Sequence, residues 1–139
     1  MPLIIVLSVA ACKKAAPDPA TTISVIVNSD SSWMVNKVSA REMDNNVTEL
    51  SAYMSGSSNS ISLQIRDYQE GNHTYEIQNT GNGGNFNKST AYCRTAYAYV
   101  KAYTGYIRVS GYNGNTITGS FDFTDQYNHV KGTFTAPRP

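Results

Sequence analysis

The side chains able to do chemistry are few, and their spacing does not suit catalysis. His73 and His129 are the two histidines of the chain, and neither has a second ligand at metal-site spacing. No Gly-x-Ser-x-Gly, His-Glu-x-x-His or paired Cys/His arrangement occurs. The carboxylates fall in loose pairs: Glu42 with Asp44, Asp67 with Glu70, Asp122 with Asp125. A pair facing across strands could work as glycosidase acids do, but turn composition around all three favours solvated positions. Neither Asp44-Asn45-Asn46 nor Asp122 to Asp125 follows an EF-hand loop. The glycines between Asn79 and Asn87 lack the Gly-Lys-Ser/Thr and the following helix of a phosphate loop. The expectation is therefore no enzyme, no metal and no cofactor.

What stands out is tyrosine, ten in 139 residues. Tyr97, Tyr99 and Tyr103 share one face of a run whose other face is Ala96, Ala98, Val100 and Ala102. The aliphatic face is expected inward, since a buried tyrosine hydroxyl left without a partner costs on the order of 1–3 kcal/mol. The tyrosine stripe is then the candidate contact surface, because rigid amphipathic rings suit adaptable recognition. A non-catalytic binding module for a small molecule, glycan or peptide is the first expectation. A structural or protein-interaction component of a cell envelope, its tyrosines merely covering a sheet, is the alternative.

The envelope enters through the N-terminus. Leu3 to Ala11 is an apolar run too short to span a bilayer as a helix. It ends in Val9-Ala10-Ala11-Cys12, which resembles the bacterial lipobox. That resemblance implies lipidation of Cys12, with residues 1–11 as signal peptide, and several acyl chains hold a protein to a membrane where one does not. No Lys or Arg precedes the apolar run, so the signal peptide is expected to be truncated at its start. Residues 12–21, with Lys13, Lys14, Pro17 and Pro19, read as lipidated cysteine and tether. Asp18 is the one acid there, which leaves periplasmic and surface faces of the outer membrane both open. Cys93 is expected to be a small buried strand residue. Eleven basic and ten acidic residues give a net charge of +1, without the basic face that nucleic acid requires. A monomer is expected.

The elements that must position these residues are strands. In Gly105 to Thr124 a period of two puts Ile107 and Val109, then Ile117, Gly119, Phe121 and Phe123, on one face. A two-residue Asn113-Gly114 loop would set Val109 against Thr118. A three-residue loop, Tyr112-Asn113-Gly114, instead sets Val109 against Ile117 and Ile107 against Gly119. A four-residue loop, Asp125 to Asn128, is expected to pair Phe123 with Val130, Phe121 with Gly132 and Gly119 with Phe134, the ring covering the glycine. The loop Gly56 to Asn59 predicts Met54 opposite Ile61 and Leu50 opposite Ile65. Ile23 to Val27, Trp33 to Glu42, a segment from Gly71 with Tyr75 and Ile77 inward, and a long strand from Ser89 to Tyr103 complete the pattern. The fold class is all-β: an antiparallel meander of about eight or nine strands over residues 22–136, as a β-sandwich or a flattened lipocalin-like barrel.

ISVIVNSDSSWMV, GNHTYEI and GYIRVSGYNGNTITGSFDF…VKGTFT, behind the lipobox Cys-Lys-Lys, resemble a family of small uncharacterised Bacteroidota lipoproteins, a domain of unknown function. The resemblance covers most of residues 22–135 and rests on turn glycines and inward aromatics. It implies an all-β lipoprotein and supplies no activity.

Overall fold

The structure, a computed structural model, describes residues 20–78 and 88–139. The signal peptide, Cys12, most of the tether and the Asn79–Asn87 loop lie outside the described residues. Among the described residues eleven strands form two antiparallel sheets: β1 (Thr22–Val27), β2 (Ser31–Val35), β3 (Ser39–Met43), β4 (Val47–Tyr53), β5 (Ser60–Arg66), β6 (His73–Gln78), β7 (Thr90–Arg94), β8 (Tyr99–Lys101), β9 (Thr104–Asn113), β10 (Thr116–Thr124) and β11 (His129–Pro137). One sheet runs β2-β1-β11-β10-β9-β6 and the other β3-β4-β5-β7-β8. The molecule is a β-sandwich and not a closed barrel. Eleven strands replace the expected eight or nine because two of the long runs are each divided.

The first division is at Trp33–Glu42. Trp33 stays beside β1 in the six-stranded sheet, while β3 joins the five-stranded one. Val38 is buried where the chain crosses, and its N–H donates to Thr21 Oγ1 at 2.9 Å. The second is at Ser89–Tyr103. The chain reverses at Thr95–Ala98, and β7 and β8 pair as a hairpin, Cys93 opposite Val100. Thr95 makes the turn, accepting from the N–H groups of Tyr97 and Ala98 on its hydroxyl. The inward phase passes from Ala91 and Cys93 before the turn to Val100 and Ala102 after it, and no Gly or Pro marks the change. Of the aliphatic face, Val100 and Ala102 are buried as expected, Ala98 is half-buried and Ala96 at the turn is exposed; Cys93 is buried as expected, and Ala91 is buried with it.

The core lies between the sheets. Ile23, Val25, Ile107, Val109, Ile117, Phe121, Phe123 and Val130 face Leu50, Ile61, Leu63, Ile65, Val100 and Ala91. The β10–β11 register is the expected one, Gly119 opposite Phe134 and Phe121 opposite Gly132. Each ring covers the other strand's glycine. A Cβ at Gly132 would meet Phe121 Cζ, and one at Gly119 would meet Phe134 Cζ and the Arg108 carbonyl.

Two registers differ from expectation, each by an even step that preserves the inward faces. In β9–β10 the turn is Gly114-Asn115, with Gly114 at a φ of 59°, the first central position where such turns need glycine. That turn alone would set apolar against polar residues. A bulge corrects it: Gly111 lies opposite Thr118 but Val109 opposite Gly119, so Ser110 is the extra residue. Val109 thus faces Gly119, not Ile117, and Ile107 faces Phe121. In β4–β5, Met54 N–H bonds Asn59 O at 2.9 Å and closes the loop one residue earlier. Leu50 therefore faces Leu63, and Ala52 faces Ile61.

Candidate functional site

The outward residues of the five-stranded sheet are of unequal height, and this makes a depression. Cross-strand registers arrange them in rows: Arg41, Glu49, Gln64 and Thr90; then Ser39, Ser51, Ser62, Tyr92 and Lys101; then Tyr53, Ser60, Arg94 and Tyr99. Serines occupy the second row (Ser39, Ser51, Ser62) and the inner place of the third (Ser60), and reach only one heavy atom beyond Cβ. Tyr53 rises on one side and Tyr92, Arg94 and Tyr99 on the other. The result is a serine-floored trough of about 380 Å³, with Glu49 at one end. Tyr53 is 77% exposed and Tyr99 64% exposed. The Tyr92 and Tyr99 rings stack at 6.4 Å with 26° between planes.

Glu49 is the one carboxylate in these rows and is only 7% exposed. Burial pushes its pKa up, but donors outweigh it. Ser62 Oγ (2.7 Å) and Gln64 Nε2 (3.2 Å) bond Oε2, and Arg41 Nε (2.8 Å) bonds Oε1, so the carboxyl titrates below its ordinary 4.5. Its charge is thus spent on Arg41 and on ordering the floor. Arg94 and Lys101 are exposed, and among the described residues neither guanidinium nor ammonium has an ion-pair or hydrogen-bond partner. Arg94 therefore brings unpaired positive charge to the trough's tyrosine wall, while Lys101 lines an adjoining depression together with Asp125.

Of the three tyrosines in the sequence-predicted stripe, Tyr99 stands in this wall. Tyr97 is wholly exposed at the tip of the β7–β8 turn. Tyr103 is 48% exposed and lines a second depression with Tyr99, Lys101 and Tyr127. The reversal at Thr95 thus distributes the stripe around β8 instead of aligning it along one strand. Sequence reasoning missed Tyr53, whose adjacency depends on register, and Tyr92 and Arg94, which an unbroken Ser89–Tyr103 strand would place on the inward aliphatic face and which the reversal at Thr95 turns outward. Tyrosines elsewhere have structural duties. Tyr112 Oη lies 3.1 Å from Tyr68 Oη, donates to Gly71 O and accepts from Gly71 N–H. Tyr75 bonds Gln69 through both its N–H and its carbonyl. Burial first, then the Tyr112 contact, pushes the Tyr68 phenol upward.

The remaining candidates for chemistry lie apart from the trough. His129 Nε2 is 2.8 Å from Asp122 Oδ1 on the other sheet. His73 Nε2 is 3.2 Å from the Glu70 carbonyl. No cluster of three or more His, Cys, Asp or Glu able to hold a metal occurs among the described residues. Cys93 is buried and its thiol is pushed up to about 12 by burial alone, so the nucleophilic thiolate is suppressed.

A family model described as a domain of unknown function, DUF6252, matches residues 21–136. No curated protein and no solved structure matches the chain.

Proposed function

The chain belongs to the DUF6252 family, and from that premise we propose that it is a lipid-anchored bacterial envelope protein whose β-sandwich is a non-catalytic binding module. The observation that carries this reading is the serine-floored trough between Tyr53 and the Tyr92–Arg94–Tyr99 wall. A concave strip with aromatic walls, free hydroxyls and unpaired cations suits a ligand. The lipobox-like Val9-Ala10-Ala11-Cys12 supports the anchor, and the sequence likeness to small Bacteroidota lipoproteins supports the compartment. Residues 13–19 would hold the sandwich away from the membrane.

The binding reading is tested by amide chemical-shift mapping on the full chain, against separate pools of neutral oligosaccharides, acidic oligosaccharides and short peptides. Shifts concentrated at Ser51, Ser62, Tyr92 and Tyr99 are the expected result. If no pool moves the trough, or only the six-stranded face responds, the module reading fails. In that second case the sandwich serves as a structural or interaction component through its flatter sheet. The anchor is tested separately: a fatty-acid analogue should label the wild type in cells and not Cys12→Ser. Equal labelling of the two would end the lipoprotein reading.

A further inference from the structure

Resting on the binding reading above, we infer that the trough takes an acidic saccharide, a uronate-type sugar whose ring lies on the Tyr92–Tyr99 pair and whose carboxylate meets Arg94. The β7–β8 hairpin puts four outward side chains at the corners of a square: Tyr92 opposite Lys101, and Arg94 opposite Tyr99. The tyrosines occupy one diagonal and stack at 6.4 Å. The cations occupy the other diagonal, exposed and without an anionic partner among the described residues. A flat group set on the rings therefore has Arg94 on the trough side and, on the other, Lys101 in the depression that Asp125 also lines.

The chemistry narrows the ligand. Aromatic faces take the C–H surface of a pyranose, and a guanidinium grips a carboxylate with two parallel hydrogen bonds. Arg94 is the next outward residue after Tyr92 on its strand, about 7 Å away, so a ring on Tyr92 keeps its carboxylate within reach. Ser60 lies directly opposite Arg94 and Ser62 opposite Tyr92, which lines the path of neighbouring sugars with hydroxyls. Glu49 does not oppose an anion here. It is paired with Arg41, and two strands and four residues separate it from Arg94, roughly 17 Å by strand geometry. That exceeds the screening length of about 8–10 Å at physiological salt. The recognition groups line a trough on the sheet face, not the open edge that an extended peptide would extend by backbone pairing. This favours a saccharide over an acidic peptide.

The test is calorimetric titration of the full chain with six-sugar oligomers of galacturonate, mannuronate and glucuronate-containing glycan, each beside its methyl-esterified form, and with an Asp/Glu hexapeptide. At least one uronate oligomer should bind, weaken as salt rises, and lose at least about tenfold in affinity on esterification. Arg94→Gln should reproduce that loss, Lys101→Gln should cause a smaller one, and Tyr99→Ala should weaken acid and ester alike. All three positions are exposed, and an unchanged melting temperature checks each variant. Equal affinity for acid and ester, indifference to Arg94→Gln, or binding of the hexapeptide alone would each overturn the acidic-saccharide assignment while leaving a binding module in place. Failure of every oligomer to bind would overturn the assignment too. The module reading itself falls only if the shift mapping above also finds no ligand at the trough.

Discussion

The two outward faces of this sandwich are built from the same strand chemistry and differ in how they treat height and charge. On the six-stranded sheet, Ser24, Thr133, Ser120, Arg108 and Thr74 follow one another across a row, and Ile26, Lys131, Asp122, Tyr106 and Glu76 across the next. Lys131 stands directly opposite Asp122, which also bonds His129, and Glu76 bonds Lys88 at 2.7 Å. Asp122 and Glu76 each have a basic partner there, while Arg108 and Lys131 have no ion pair among the described residues. On the five-stranded sheet four cations, Arg41, Arg66, Arg94 and Lys101, share the face with one carboxylate, Glu49, which Arg41 already occupies. Surface ion pairs stabilise a fold by only about 0–1 kcal/mol, so leaving Arg94 and Lys101 unmatched costs the fold little and keeps them available to a ligand. The difference is one of balance: Asp122 and Glu76 stand among the cations of the six-stranded rows, whereas Glu49 alone stands among the four of the five-stranded face.

Substitutions that separate the duties of the sheets should show this in order of size. Gly119→Leu puts a side chain where Phe134 and the Arg108 carbonyl already stand and should destabilise by roughly 1–3 kcal/mol or more. An unchanged melting temperature would refute the aromatic-over-glycine packing. The two carboxylates sharpen the contrast further. Glu49→Ala removes an acceptor of three donors in a nearly closed site and should cost about 2–3 kcal/mol. Asp122→Ala, whose side chain is 37% exposed, should cost less than about 1 kcal/mol. Chemical denaturation of both variants measures the difference, and equal losses would contradict it.

The same carboxylate predicts a pH dependence. Its pKa is lower folded than its ordinary 4.5, so the unfolded chain binds the proton first. The stabilisation from ionised Glu49 is then complete above about pH 4.5 and drains away as pH falls through the folded value. The stability gap between wild type and Glu49→Gln should be flat at neutral pH and shrink below 4.5. A gap that widens on acidification would reverse the sign of the argument. The smallest expected effect on stability is that of Tyr97, Tyr99 and Tyr103 replaced together by Ser. The three are exposed, so the fold should survive with a change of less than about 1 kcal/mol, while retention of a trough ligand drops. Unfolding of the triple variant would mean that these rings belong to the core.

How far the sequence could be read depended on what fixed each register. Phe121, Phe123, Val130 and Phe134 announce the β10–β11 pairing because Asp125 closes a loop of definite length, accepting from the N–H groups of Tyr127 and Asn128. The β9–β10 register was hidden by Ser110, since a bulge adds one residue and shifts the alternation beyond it with no residue signature of its own. Thr95 hid the β7–β8 reversal in the same way, its hydroxyl doing at the turn what a glycine would have advertised. The trough follows from those registers. Ser51, Ser62 and Tyr92 sit apart in the chain and become a site only when their strands pair. Tyr99 was legible as an accessible ring; its partner Tyr92 and the flanking Arg94 were not.

The claim that the five-stranded face is the working surface is tested most directly by blocking each face in turn. Ser51→Trp raises the trough floor, and Ser120→Trp adds the same bulk to the outward side of the opposite sheet. Affinity of the full chain for its tightest uronate oligomer should fall by at least about tenfold with Ser51→Trp and stay unchanged with Ser120→Trp, both variants keeping the wild-type spectrum. Loss with Ser120→Trp and none with Ser51→Trp would contradict the account.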